Sequence, residues 1–141
     1  MRRAILILAA AALALPGCGD DNSTPTTPTT LVRNVENFAG TLQPAGSQRF
    51  IFFVSATGTV DLTLFSVRPA GAQTPTLSTP LRIGFGLPIG DGCTLQVAAT
   101  TAPGLTTQVT LQTLAGTFCI GVEDEGRLTA PTDFNVKVLF P

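Results

Sequence analysis

Few residues in this chain could do chemistry. Of its 141 residues, 44% are hydrophobic and 12% charged, and His, Trp and Tyr are absent. Without His no Ser–His or Cys–His nucleophile pair can form, and His-ligated zinc or iron is excluded. Ser47, Ser55, Ser66 and Ser78 have no basic neighbour other than Arg, and neither a Gly-x-Ser-x-Gly elbow nor a P-loop occurs. The expectation is a protein that is not an enzyme. Eight basic residues against nine acidic ones leave no electrostatic footprint for nucleic acid. What remains is three cysteines, Cys18, Cys93 and Cys119, and one acidic run, Glu123-Asp124-Glu125. Adjacent carboxylates before Gly126 could help hold calcium, which takes about six to eight oxygens. Asp91 or Asp133 would have to join them, and no EF-hand spacing is present. The alternative is a solvated charged turn. No other cofactor is indicated.

Cys18 takes its meaning from what precedes it. Arg2 and Arg3 are followed by the unbroken apolar run Ala4–Leu15, which has the length of a secretory signal and stops short of a membrane span. Leu15-Pro16-Gly17-Cys18 resembles the lipobox of bacterial lipoproteins, with Pro16 in place of the commoner Ala, Ser or Thr. The resemblance implies removal of residues 1–17 and acylation of Cys18 by diacylglycerol and a further chain such as palmitate. Two or more acyl chains form a stable membrane anchor. Gly19, rather than Asp, follows the Cys, and by the same resemblance this favours the outer over the inner membrane. The alternative is an ordinary secretory signal with Cys18 incidental.

Residues 18–31 then read as a tether. Gly19–Thr30 has no apolar side chain larger than Pro and cannot bury a face. Its Thr/Pro pattern favours extended polyproline II, a solvated spacer holding the following domain off the membrane.

Residues 32–141 form one domain. They contain no convincing helical period, only short alternating runs bounded by Gly, Pro and Asp-Gly turns, the pattern of an all-β fold. The pattern predicts eight strands: Val35–Leu42, Gln48–Val54, Thr59–Val67, Leu81–Phe85, Thr94–Thr100, Thr106–Leu114, Thr117–Val122 and Asp133–Phe140. This number of short strands predicts a two-sheet antiparallel β-sandwich, jelly-roll-like or immunoglobulin-like. The second and third runs are expected to pair as a hairpin, placing Val54 beside Val60, Phe52 beside Leu62 and Phe50 beside Leu64. The sixth and seventh are expected to pair across Ala115-Gly116.

If Cys18 is acylated, Cys93 and Cys119 remain, in an exported domain where disulfides persist. Cys119 alternates out of phase with Phe118 and Ile120, whereas Cys93 is in phase with Leu95 and Val97. A bridge therefore requires Cys93 to lie in the turn before its strand, or a bulge between them. The alternative is two unpaired buried thiols.

The globular part also carries a family pattern. Its first piece is Phe38-Ala39-Gly40-Thr41-Leu42, Gly46, Phe50-x-Phe52-x-Val54, Gly58 and Val60-x-Leu62-x-Leu64. Its second is Gly116-Thr117-Phe118-Cys119-Ile120-Gly121-Val122, Asp124, Gly126, Leu128-Thr129-Ala130-Pro131 and Phe134-x-Val136-x-Val138. Together these resemble the bacterial pre-peptidase C-terminal domain, over roughly residues 37–141. The family often has Tyr where Phe118 and Phe134 stand here. The resemblance implies a jelly-roll sandwich in an exported protein, from a family in which some members bind calcium, collagen or carbohydrate.

The expected hairpin would place Arg49, Ile51 and Phe53 beside Asp61, Thr63 and Phe65 on one outer face. An apolar cluster rimmed by Arg49 and Asp61 could contact a protein or a glycan; the alternative is that the loop at 68–80 or a terminal segment covers it. The expectation is thus a lipid-anchored envelope protein with a non-catalytic binding or display domain. The other readings are a structural subunit of an envelope assembly and a calcium-dependent carbohydrate-binding module.

Overall fold

The computed structural model describes residues 32–74 and 76–141. The expected signal at 1–17, Cys18 and the tether through residue 31 lie outside them.

Alternation builds the fold. Eight strands follow one another: β1 Asn34–Leu42, β2 Ser47–Val54, β3 Gly58–Pro69, β4 Leu81–Ile89, β5 Gly92–Thr101, β6 Val109–Thr113, β7 Gly116–Glu123 and β8 Thr132–Phe140. Among the described residues there is no helix. In β8 every second residue is buried, from Thr132 through Phe134, Val136 and Val138 to Phe140. Such a period of two puts one row of side chains into a core and the other outside.

The strands form two antiparallel four-stranded sheets. Sheet A has the order β1-β8-β3-β6 and sheet B the order β2-β7-β4-β5. Successive strands change sheets except at the β4–β5 hairpin, which gives two Greek keys and defines a jelly roll rather than an immunoglobulin-like sandwich.

This order overturns both expected hairpins. β2 pairs with β7, with Phe52 beside Phe118, and β3 pairs with β6 and β8, with Leu62 beside Val109 and Val138. β6 and β7 also belong to different sheets. The matching inward rows face each other across the core instead of lying side by side. Alternation tells which residues point inward but not which strand is the lateral neighbour.

Phenylalanine joins the sheets. Phe52 of β2 packs against Phe38 and Phe140 of sheet A and against Phe85 and Phe118 of sheet B, with ring centroids 5.7–6.4 Å apart. Leu62, Leu64, Ile83, Ile120 and Val136 fill the rest of the core and are fully buried.

Two neighbours in sequence separate core from surface. Phe52→Ala should cost about 3–5 kcal/mol, whereas Phe53→Ala, at a side chain 62% exposed, should stay within about 0.5 kcal/mol. Urea unfolding of both variants checks this.

Candidate functional site

The six residues expected to form one patch are split between opposite faces. Arg49, Ile51 and Phe53 lie on the outer side of sheet B, where they pair with Gly121, Cys119 and Thr117. Asp61, Thr63 and Phe65 belong to β3 in sheet A. Thr63 is buried, and Phe65 stands at a bulge between Leu64 and Ser66. Asp61 is already engaged: it accepts hydrogen bonds from Arg33 at 2.7 Å and Thr110 at 2.8 Å. Arg33 also donates to the carbonyls of Thr59 and Leu139, fastening the chain across β8 just before β1 begins.

On sheet B the β4–β5 hairpin leans over the outer face. Gly84, Gly86 and Gly121 are buried there. A Cβ on Gly86 would collide with the Thr94 carbonyl, and one on Gly121 would come within 2.9 Å of the Leu95 side chain. Leu95 thus reaches across β4 to rest on β7. The Cys93–Cys119 disulfide makes the same crossing, with Cα atoms 5.9 Å apart. It forms because Gln96 bulges out of the ladder: Leu95 pairs with Gly86 and Val97 with Phe85, so the alternation slips by one. Cys93 and Leu95 then face outward while Val97 packs against the core. At the hairpin tip Asp91 stands 3.9 Å from Arg49, with its side chain fully exposed. Ile51 and Phe53 remain exposed beside this hairpin.

The acidic run does not converge on one point. Glu123 pairs with Arg82, and Glu125 accepts from Thr100 at 2.8 Å. Asp124 is buried and turned the other way. It accepts backbone N–H bonds from Ala45 and Arg127, each at 2.7 Å, and from Leu128 at 3.1 Å. Ala45 has a positive φ of 56° in the turn between β1 and β2, so Asp124 clamps that turn to the loop between β7 and β8. Burial would raise this carboxyl, but the N–H groups of Ala45, Arg127, Leu128 and Gly126 together outweigh it and hold the pKa below its ordinary value. Among the described residues, no group of three or more His, Cys, Asp or Glu side chains gathers as metal ligands. Of the expected calcium set, Glu123 and Glu125 both face Arg82, at 2.5 and 3.9 Å, whereas Asp124 turns inward to backbone N–H groups, so the three carboxylates are not brought together.

One concavity among the described residues is a feature that sequence reasoning missed. A groove of about 470 Å³ opens on the outer side of sheet A. Its floor comes from three adjacent strands: Ala39 and Thr41 of β1, Asp133 and Asn135 of β8, and Ser66 and Arg68 of β3. The loop at 71–73 forms one wall. Asp133 holds that wall by accepting from Gly71 N–H at 2.8 Å, and it also accepts from Thr41. Arg68 holds the wall as well, donating to the Gln73 carbonyl at 3.1 Å and to Ser66 Oγ at 3.3 Å. The hydrogen bond from Thr41, then that from Gly71, with a smaller contribution from Arg68, holds the Asp133 carboxyl below its ordinary value. Asn135 Oδ1 is buried in the floor without a hydrogen-bond partner.

No family model and no curated protein matches the chain. The geometry of its surfaces is therefore the main guide to its function. A groove assembled from β1, β8 and β3 has no sequence signature, because it depends on which strands are lateral neighbours. The sequence offers only the outward row of β8, Asp133, Asn135 and Lys137, which alternation by itself marks as solvent-facing.

Two outcomes follow. Reducing the disulfide, or Cys93→Ser, should cost about 3 kcal/mol, read as a shift in urea midpoint with and without reductant. Asp124 and Asp133 both have lowered pKa values in the fold, so their stabilisation is complete above the unfolded-state value and is lost as pH falls through the folded values. Unfolding free energy should be level from about pH 7 to 5 and fall below about pH 4, and Asp124→Asn should flatten that fall.

Proposed function

We propose that this chain is a lipid-anchored bacterial envelope protein whose jelly-roll domain binds a partner without catalysis. The anchor rests on the resemblance of Leu15-Pro16-Gly17-Cys18 to a lipobox. The observation that carries the binding role is polarity along the sandwich. The chain joins the domain at Arg33, at the end where Asn34 pairs with Phe140. The groove lies at the other end, where Thr41 pairs with Asp133. At the rise of an extended strand this separates the two by roughly 25 Å. A domain held to a membrane at one end thus presents this polar concavity outward at the other.

The volume falls in the range of ligand-binding sites. The absence of His and of any nucleophile–base motif favours binding over catalysis. A second reading rests on Ile51 and Phe53, which stay 46% and 62% exposed on sheet B. Adjacent exposed apolar side chains suit a structural contact with another envelope protein. Co-purification with one stoichiometric partner, lost in Phe53→Ser and kept in Arg68→Ala, would favour that reading.

The first test is the intact mass of protein extracted from membranes. The expected mass is that of Cys18–Pro141 plus acyl chains, gaining two alkyl groups only when reduction precedes alkylation. An unlipidated mass would overturn the anchor. The extracted protein should then bind envelope fractions saturably, and Arg68→Ala should weaken that binding.

A further inference from the structure

We propose that β2, at the edge of sheet B, pairs antiparallel with β2 of a second copy of this chain, joining two four-stranded sheets into one. This goes beyond the groove on sheet A and does not depend on it.

Edge protection singles out β2. A strand at a sheet edge offers unpaired backbone N–H and C=O groups, and proteins guard such edges with short strands, bulges, inward-pointing charges or Pro. Among the described residues four strands are edges: β1 and β6 of sheet A, β2 and β5 of sheet B. β6 has only five residues. β5 bulges at Gln96. β1 has Glu36 in its inward row, beside Val138, and its Thr41 carbonyl already accepts from Gln48. β2 has none of these guards. It runs for eight residues in unbroken register with β7, without Pro or Lys. Its outward row holds Ile51 and Phe53, both exposed. On the inward row Phe50 is only partly buried, packed against Phe38 of the other edge strand at this flank.

The pattern of β2 is complementary to itself. A two-fold axis perpendicular to the sheet brings outward residues beside outward residues. Centred on Ile51, it sets Ile51 beside Ile51, Arg49 beside Phe53 and Phe50 beside Phe52 of the other copy. Arg49 is the one charge of β2. It comes beside an aromatic ring, where a cation–π contact is favourable, and the two guanidiniums stay four residues apart along the strands, roughly 13 Å. Centring the axis one residue earlier leaves Phe53 beside Ser47, and one residue later shortens the ladder and leaves Arg49 without a partner on β2. One surface thus supplies both halves of an isologous interface.

The test uses the full-length, membrane-extracted protein in detergent, its mass read by light scattering with the detergent contribution subtracted. The mass should rise from one chain to two as concentration passes through the micromolar range. Over that rise, hydrogen–deuterium exchange should slow in β2 and not in β5 or β6. Phe53→Lys and Ile51→Lys each put a charge on the edge and should weaken self-association tenfold or more. Phe65→Lys, on sheet A, should leave it unchanged. An unaltered far-UV circular dichroism spectrum separates lost pairing from lost fold. Register is read by mixing Arg49→Cys with Phe53→Cys: the mixture should form an intermolecular disulfide, and neither variant should cross-link to itself. A single-chain mass throughout, a dimer that survives both lysine variants, or self-cross-linking of either cysteine variant overturns the inference. So does a different protein held at β2 in place of the second copy.

Discussion

The sandwich depends on one ring being shared by two sheets. Phe52 stacks with Phe38 and Phe140 on one side and with Phe85 and Phe118 on the other, so each sheet's inward row is positioned by the other's. A chain without Trp or Tyr must reach this contact through Phe, which buries a large apolar surface with no polar atom to satisfy. Once these rows are inside, alternation, reset at the Phe65 and Gln96 bulges, sets which residues point outward. The groove, the glycine-lined face and the disulfide are all outward features and inherit their positions from the core.

The two ends of the sandwich are secured by different chemistry. Near the start of β1, one guanidinium, Arg33, ties β3 and β8 together from outside. At the far end, buried Asp124 collects backbone N–H groups from two loops. An ionised acceptor makes stronger hydrogen bonds than a neutral one, and several donors offset the cost of burying it. The loops around the groove are therefore fixed locally: Gly71, with a φ of +76° that an L side chain rarely adopts, is held by Asp133. A concavity whose wall is held in this way is formed before anything binds to it.

Much of this was legible in the residues. The eight strands, the inward rows and the all-β class follow from a period of two, and β8 alternates without a fault. The pairing of Cys93 with Cys119 was legible too, with the stated condition of a bulge, which Gln96 supplies. Lateral neighbours were not legible. The short turn at Ser55-Ala56-Thr57 suits a hairpin, yet here it carries the chain from sheet B to sheet A, and that one difference places Phe53 and Phe65 on opposite faces. Likewise Glu123-Asp124-Glu125 looks like a cluster in sequence, but its middle member turns inward as the strand ends.

The position of β8 has a consequence for how the molecule comes into being. The last of the eight strands lies in the middle of sheet A, between β1 and β3. A nascent chain that has emerged only through β7 leaves β1 with no lateral neighbour, so sheet A cannot close until residues 132–140 are free. Pairings this distant in sequence assemble slowly. The core that Phe52 joins therefore closes only when residues 34–42 and 132–140 meet, so both ends of the domain are needed for it to fold.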